Sequence, residues 1–283
     1  MKIKTLNALQ PNFNQKLTKY LSIKNDNTNI VEKTVNLILE EIKKNGDRAL
    51  LSQIKKYDKT VYKQISDSIV TKNELKEAYS KTSKKIISDL KKAIKNIRAF
   101  SSNQKLKSWS ITVKGSRLGE KVTPINKVGI YVPGGRASYP STVLMNAIPA
   151  KIAGVQNITM VCPPTNGKLN SLVLIAADLC GVNKIYKFGG AHAIGALAYG
   201  TKTISPVDKI VGPGNIYVAT AKKKVFGAVG IDSFAGPSEV LIIADPKADA
   251  ELIATDMFAQ AEHDELAQAI LVTSSERLIK SVG

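Results

Sequence analysis

Apolar positions recur along this chain in two rhythms, and the change between them falls near residue 127. Up to residue 100 the period is helical. Val31, Val35, Ile38 and Ile42 stand three or four apart and the pattern stops at Gly46, which it predicts to be a C-terminal cap. Ile86, Leu90, Ile94 and Ile97 repeat the spacing, while Lys84, Lys85, Lys91, Lys92 and Lys95 fall largely on the other face. Residues 100–127 lose this period, collect Ser, Gly and Lys, and mark a boundary. From Val128 onward short apolar runs alternate with helical patterns. VGIYV leads through a Pro133-Gly134-Gly135 turn to a helix predicted to open at Ser141 and close at Gly154. NITMVCP is followed by NSLVLIAADLCG, with Asn170 as its start and Gly181 as its stop. KIYKFGG precedes AHAIGALAYG, DKIVGPG precedes NIYVATAKKKVFG, and SEVLIIAD precedes ADAELIATDMFAQAEH. A last strand-like run, Gln268 to Thr273, is followed by a helix opening at Ser275.

Strands that are apolar on both faces, alternating with helices, predict an α/β fold of doubly wound type with a parallel sheet. The length, 283 residues, suggests roughly two domains. With 43% hydrophobic and 23% charged residues, the composition excludes a mostly disordered, collagen-like or coiled-coil chain. Two cysteines, Cys162 and Cys180, exclude a disulfide scaffold and point to a reducing compartment. No run approaches the roughly 18 apolar residues of a membrane span, and the opening MKIKTLNALQPNFNQ lacks the apolar stretch of a secretory signal. The expected location is therefore cytoplasmic, with no membrane partner.

The net charge of +18 suggests a nucleic-acid partner until it is divided along the chain. Residues 1–121 hold 27 Lys+Arg against 11 Asp+Glu, whereas residues 122–283 hold 14 against 12. Only five of the 41 basic residues are Arg, the side chain suited to bidentate phosphate or base contacts. Trp109, Tyr57, Tyr62 and Tyr79 are scattered and form no stacking platform. A lysine-rich solvated helix surface accounts for the excess, and no nucleic-acid partner is expected.

In a doubly wound sheet ligands bind outside the carboxyl ends of the strands, so the loops that follow the strands are where chemistry is sought. Three are glycine-rich: Val132-Pro133-Gly134-Gly135, Phe188-Gly189-Gly190, and Val211-Gly212-Pro213-Gly214-Asn215. Such loops let a phosphate approach backbone N–H groups and a helix N-terminus, although sharp turns in any α/β protein call for the same residues. No GxGxxG fingerprint is present. A second constellation is Gln260-Ala261-Glu262-His263. Gln260 and His263 stand three apart on one helix face, where an amide oxygen and an imidazole could converge on one metal ion. Spacing alone favours a plainer alternative, an acidic helix end on which His263 is a favourable partner of the dipole. Gln is also an uncommon ligand for zinc, which normally takes four.

Taken together, VGIYVPGGRASYPSTVLMNAIPAKIAGV, GGAHAIGALAYGT, VDKIVGPGN, IDSFAGPSEVLIIAD and AQAEHDELAQAILVT, in this order and spacing, closely resemble histidinol dehydrogenase. The resemblance is strong over about residues 125–275 and weak over the N-terminal helices. It implies tandem Rossmann-like units: N-terminal helices at 1–121, an NAD-binding unit at 122–236, and from 237 the start of a second unit on which the N-terminal helices pack. It also implies oxidation of L-histidinol to L-histidine in histidine biosynthesis, with two NAD molecules used in succession, and an intertwined homodimer whose partner completes the site. Carried over by motif, Tyr131, Asn215 and the position of His192 match NAD contacts. Ser238 matches a substrate contact, and Gln260 and His263 match two zinc ligands that also line the substrate site.

Two departures from the family pattern stand beside these matches. The family usually has Gln where this chain has His192, and a neutral imidazole cannot both donate and accept at one end as an amide does. The resemblance also implies that the glutamate–histidine general-base pair and two further zinc ligands lie beyond Gly283, so that the second unit is incomplete. On that expectation no catalytic base is assigned within the 283 residues, and the chain alone is expected to be inactive. A catalytically dead NAD-binding or regulatory module is the alternative from another class.

Overall fold

Residue by residue, β3 (Lys127–Tyr131) shows how the chain builds a two-sided layer. Val128 and Ile130 face one side and pack with Val143, Leu144 and Ala147, while Gly129 between them lies against Leu197 on the other. The structure is a computed structural model, and it describes residues 3–22, 25–134, 139–233, 239–262 and 267–283. Its chain divides into two compact units, Thr34–Phe234 and the pairing of Met1–Lys33 with Ala235–Gly283. The divisions expected from sequence fell at residues 121 and 236.

The larger unit holds a parallel sheet whose strands are β3, β4 (Asn157–Val161), β5 (Lys184–Tyr186), β6 (Lys209–Val211) and β7 (Gly230–Ile231). Their spatial order is β5-β4-β3-β6-β7. The chain thus winds outward from β3 to one edge, then returns to the other side of β3, which puts the topological switch between β3 and β6. Helices α5 (Pro140–Ala153) and α6 (Ser171–Leu179) pack together, as do α7 (Gly190–Tyr199) and α8 (Ile216–Val225). Right-handed crossovers running in opposite directions from the switch place these two pairs on opposite faces. The predicted α/β fold with a parallel sheet is the observed one.

Caps were largely legible. Asn170 Oδ1 accepts from Leu172 N at 2.8 Å, Ser275 caps α10 (Glu276–Val282), and Gly154 closes α5 at φ 96°. The start of α5 departs from expectation: its N-cap is Tyr139 and not Ser141, because Pro140 occupies the first helical position, where its missing N–H costs nothing. Gly46 does not end α2 (Asn25–Gln53); it sits at φ 51° and joins two helical stretches across a kink. Val35, Ile38 and Ile42 are buried as the spacing predicts. In α4 (Lys84–Ser102) the stripe facing the core is Ile87, Leu90, Ile94 and Ile97, with Ile86 left exposed.

Helices α3 (Lys72–Lys81) and α4 pack on α6 and α5, inside the sheet unit. Between Lys107 and Val122, where the sequence showed only a loss of helical period, two strands form an antiparallel hairpin: β1 (Trp109–Val113) and β2 (Ser116–Glu120). Lys114 and Gly115 make its two-residue loop at φ 48° and 80°, the handedness that matches strand twist. Every hairpin residue is exposed.

The β5 edge of the sheet is blocked by the chain around Ile69, which bridges to Tyr186 and is fastened by Lys187. Lys187 N donates to Ser68 O at 2.8 Å, and its ammonium reaches Glu74 on α3 at 2.7 Å. Burial pulls the Glu74 carboxyl up, but the hydrogen bond from Lys187 and those from Thr71 outweigh it and hold Glu74 below its ordinary value of 4.5. A lowered folded-state pKa stabilises above the unfolded value, and that contribution vanishes as pH falls through the folded one. We therefore expect the sheet unit to lose stability progressively below about pH 4.5, and Glu74→Gln to flatten that loss in urea titrations across pH.

In the smaller unit, β8 (Glu239–Ala244) and β9 (Gln268–Thr273) pair in parallel over six residues, joined through α9 (Ala250–Ala261). Leu241 and Ile243 on β8, with their register partners Ile270 and Val272 on β9, are exposed on one face. Among the described residues no helix is long and apolar enough to cross a membrane.

Candidate functional site

Four strand-end loops meet near the switch point because small residues let them. Gly212 follows β6 at φ 109°, and a Cβ there would overlap the backbone oxygen of Tyr131 at the end of β3. Pro163, just past β4, lies between two others: a Cβ on Gly134 or on Gly189 would come within 2.7 Å of it. The loops after β3, β4, β5 and β6 therefore lie side by side at the carboxyl ends of the strands, where doubly wound sheets place their ligand crevice.

The loop after β6 is fixed by an ion pair whose lysine is buried. Lys222 of α8 is 4% exposed, and its ammonium donates to Gly212 O at 2.8 Å and to the Asp232 carboxylate just past β7. The other Asp232 oxygen accepts from Gly212 N at 2.8 Å. Both polar groups of the Gly212 peptide are thereby satisfied where no sheet ladder reaches them.

The β5–α7 turn is held from two sides. Gly190 N donates to the Tyr131 hydroxyl at 3.0 Å, and Gly189 N donates to Asp58 at 3.2 Å. Tyr131 is buried, which pushes its phenol far above the usual range and keeps it protonated at any working pH. His192 lies in the first turn of α7, is 1% exposed, and pairs through Nε2 with Asp58 at 2.9 Å. Asn215 is the N-cap of α8, its Oδ1 accepting from Val218 N at 3.2 Å. Burial also pushes the Cys162 thiol at the end of β4 up to about 12, so it stays protonated and inert as a nucleophile.

The three positions that the motifs match to a dinucleotide thus lie near one another at the carboxyl ends of the strands, each with one polar group used internally. Tyr131 and His192 are closed off from solvent, at 3% and 1% exposure, whereas Asn215 is exposed at the start of α8. Asp58, Asp232, Lys222 and Pro163 had no sequence signal as site residues. Asp58 stands 131 residues before Gly189, and only the fold brings them together.

In the smaller unit, Gln260 lies in the last turn of α9, and its Nε2 is buried without a hydrogen-bond partner among the described residues. Ser238 and His263 lie outside the described residues. Among the described residues no group of three or more His, Cys, Asp or Glu side chains could hold a metal ion. An orphaned amide marks a place that a polar group would complete, but Gln260 and His263 are two neutral donors and do not by themselves fit a four-coordinate zinc.

Comparison with known proteins bears on both units. A model of the histidinol dehydrogenase family matches residues 21–283. The chain is 46% identical over 281 residues to a histidinol dehydrogenase of Neisseria meningitidis, covering 99% of this chain and 66% of the relative. It is 53% identical over 259 residues to the enzyme of that name from Clostridium acetobutylicum, covering 91% of this chain and 59% of the relative. A crystal structure of histidinol dehydrogenase from Elizabethkingia anophelis superposes with a TM-score of 0.77 at 42% identity, covering 89% of this chain and 58% of that one. The chain spans less than two thirds of the length of these relatives.

Proposed function

The chain belongs to the histidinol dehydrogenase family, and from that premise we propose that it binds NAD and contributes to the oxidation of L-histidinol to L-histidine. The observation that supports this best is the convergence of glycine loops on the switch between β3 and β6. The crevice offers backbone that a pyrophosphate can approach closely, plus a few fixed polar groups for orientation. NAD, when bound, supplies the hydride acceptor. The work of this chain is placement: Asn215 presents a donor at the crevice, Tyr131 and His192 support the β5–α7 turn, and the ion pair at Gly212 keeps the loop from relaxing when a ligand arrives.

On the same reading Ser238, Gln260 and His263 belong to the substrate side, and Gln260 and His263 would hold part of a zinc ion whose other ligands come from outside these 283 residues. A partner subunit of the same kind would complete the site in the cytoplasm. The buried, unpartnered Nε2 of Gln260 supports a polar occupant there. No chemical step is assigned to zinc on two donors.

Two measurements test the reading. Calorimetric titration of NAD into the 283-residue chain is expected to show saturable binding at one site. Histidinol added to the same chain with NAD and zinc is expected to yield no NADH above background, since general-base assistance alone is worth 10²- to 10⁴-fold. No saturable NAD binding would overturn the cofactor assignment. Histidinol-dependent NADH formation would show that the base lies among these residues after all.

A further inference from the structure

Beneath the β5–α7 turn lies a carboxylate that no motif singled out. Helix α2 does not end in an ordinary cap: its last turn passes into a π turn, Ile54–Asp58, stopped by Lys59 at φ 55°. A single π turn and a non-glycine residue in the left-handed region are both unfavourable local choices that surrounding structure must enforce. Thr60 Oγ1 donates to Asp58 O at 3.2 Å and fastens the reversal. The result is to set the Asp58 side chain, 8% exposed, directly under two donors. One oxygen accepts from Gly189 N at 3.2 Å and pairs with His192 Nε2 at 2.9 Å. The Tyr57 ring stacks on the imidazole at 6.0 Å between centroids and 18° between planes, closing the pair from a second side.

We propose that Asp58 is a positioning residue for the dinucleotide, acting through Gly189 and His192 to hold the β5–α7 turn in the shape the crevice needs. This rests on the cofactor reading above. The path is continuous: Asp58 fixes Gly189, Gly189 abuts Pro163, and Pro163 abuts Gly134 of the loop after β3. Gly190, next along, sits at φ 69° over the His192 ring, where a Cβ would come within 3.0 Å of Cε1. The turn therefore has no slack with which to compensate for a lost anchor. A residue that merely stabilised the unit would leave the turn's shape, and ligand affinity, untouched.

The test compares NAD affinity by calorimetry with thermal stability in the unaltered chain and in Asp58→Ala, Asp58→Asn, Asp58→Glu and Asp208→Ala. Asp58→Ala is expected to weaken NAD about tenfold or more, since two buried donors lose their acceptor. Asp58→Asn keeps one amide oxygen that can accept in place of the carboxylate oxygen shared by Gly189 N and His192 Nε2, so the loss is expected to be smaller. Asp208→Ala, which removes the acceptor of Asn126 N and Lys127 N at the opposite, amino end of β3, is expected to lower the melting temperature and leave NAD affinity unchanged. If Asp58→Ala does not fold, Asp58→Glu carries the test, because its extra methylene displaces the carboxylate while keeping the charge. NAD binding by the unaltered chain with the folded Asp58 variants equally tight overturns the role of Asp58 alone. Weakening by Asp208→Ala as large as by Asp58→Ala overturns it too. Absence of binding by the unaltered chain overturns the cofactor reading and this role together.

Discussion

Gly212→Ala is expected to abolish NAD binding and to destabilise the sheet unit by about 4 kcal/mol. Two independent costs add at this position. The backbone stands at φ 109°, where an L side chain is strained by roughly 1–3 kcal/mol before it meets any neighbour. The new Cβ would also overlap the Tyr131 carbonyl, and that neighbour is sheet backbone, which cannot step aside as a flexible side chain can. Relief requires the β6–α8 loop to lift off β3, which pulls Gly212 away from Lys222 and Asp232. For a unit of this size the melting temperature should fall by roughly 10 °C. Differential scanning calorimetry with and without NAD reads both effects. A variant that melts within a degree or two of the unaltered chain and still gains stability from NAD would show that the loop is freer than described.

Asp232→Ala should come close behind, at about 2–3 kcal/mol. Removing one member of a fully buried pair typically costs roughly 3–5 kcal/mol because the other charge is left without compensation. Here the Asp232 side chain is 32% exposed, so water can partly replace it, while Lys222 at 4% cannot turn outward. Lys222→Met in the same background should recover much of the loss, since the ammonium that needed compensation is gone. The Gly212 N–H remains unpaired in both, which sets a limit on the recovery. A double-mutant cycle in urea measures this coupling. Strict additivity of the two substitutions would mean the pair does not act as a unit.

The contrast between these two predictions shows what the sequence could announce. VGPGN carried a local signal: two glycines beside a β-run mark a sharp backbone turn and a place where a ligand can approach. Asp232 stood in the quoted run IDSFAGPSEV without a sign of its partner, because nothing in the spacing of Lys222 and Asp232 says that one helix and one strand end will meet. Asp58 was harder still, since the π turn that aims it is a response to packing and has no local code. The hairpin at 109–120 carries only a short signal, the alternation of Trp109, Ile111 and Val113 with Ser110 and Thr112. Its exposure explains why no core-facing pattern accompanied it.

By itself the sequence determined the order of strands and helices from residue 128 onward, the parallel class of the sheet, most of the caps, and the glycine-rich loops at the strand ends. These follow from local terms, namely side-chain period, backbone freedom at glycine, and the end groups of helices, which act within a few residues of their cause. Only the tertiary structure decided that helices α3 and α4 cover the sheet unit, that Gly46 bends a helix instead of ending it, and that Asp58, Lys222 and Asp232 stand beneath the strand-end loops. Those outcomes depend on buried polar groups finding partners from distant parts of the chain, and the requirement that each be satisfied is imposed by burial, which no single segment carries alone.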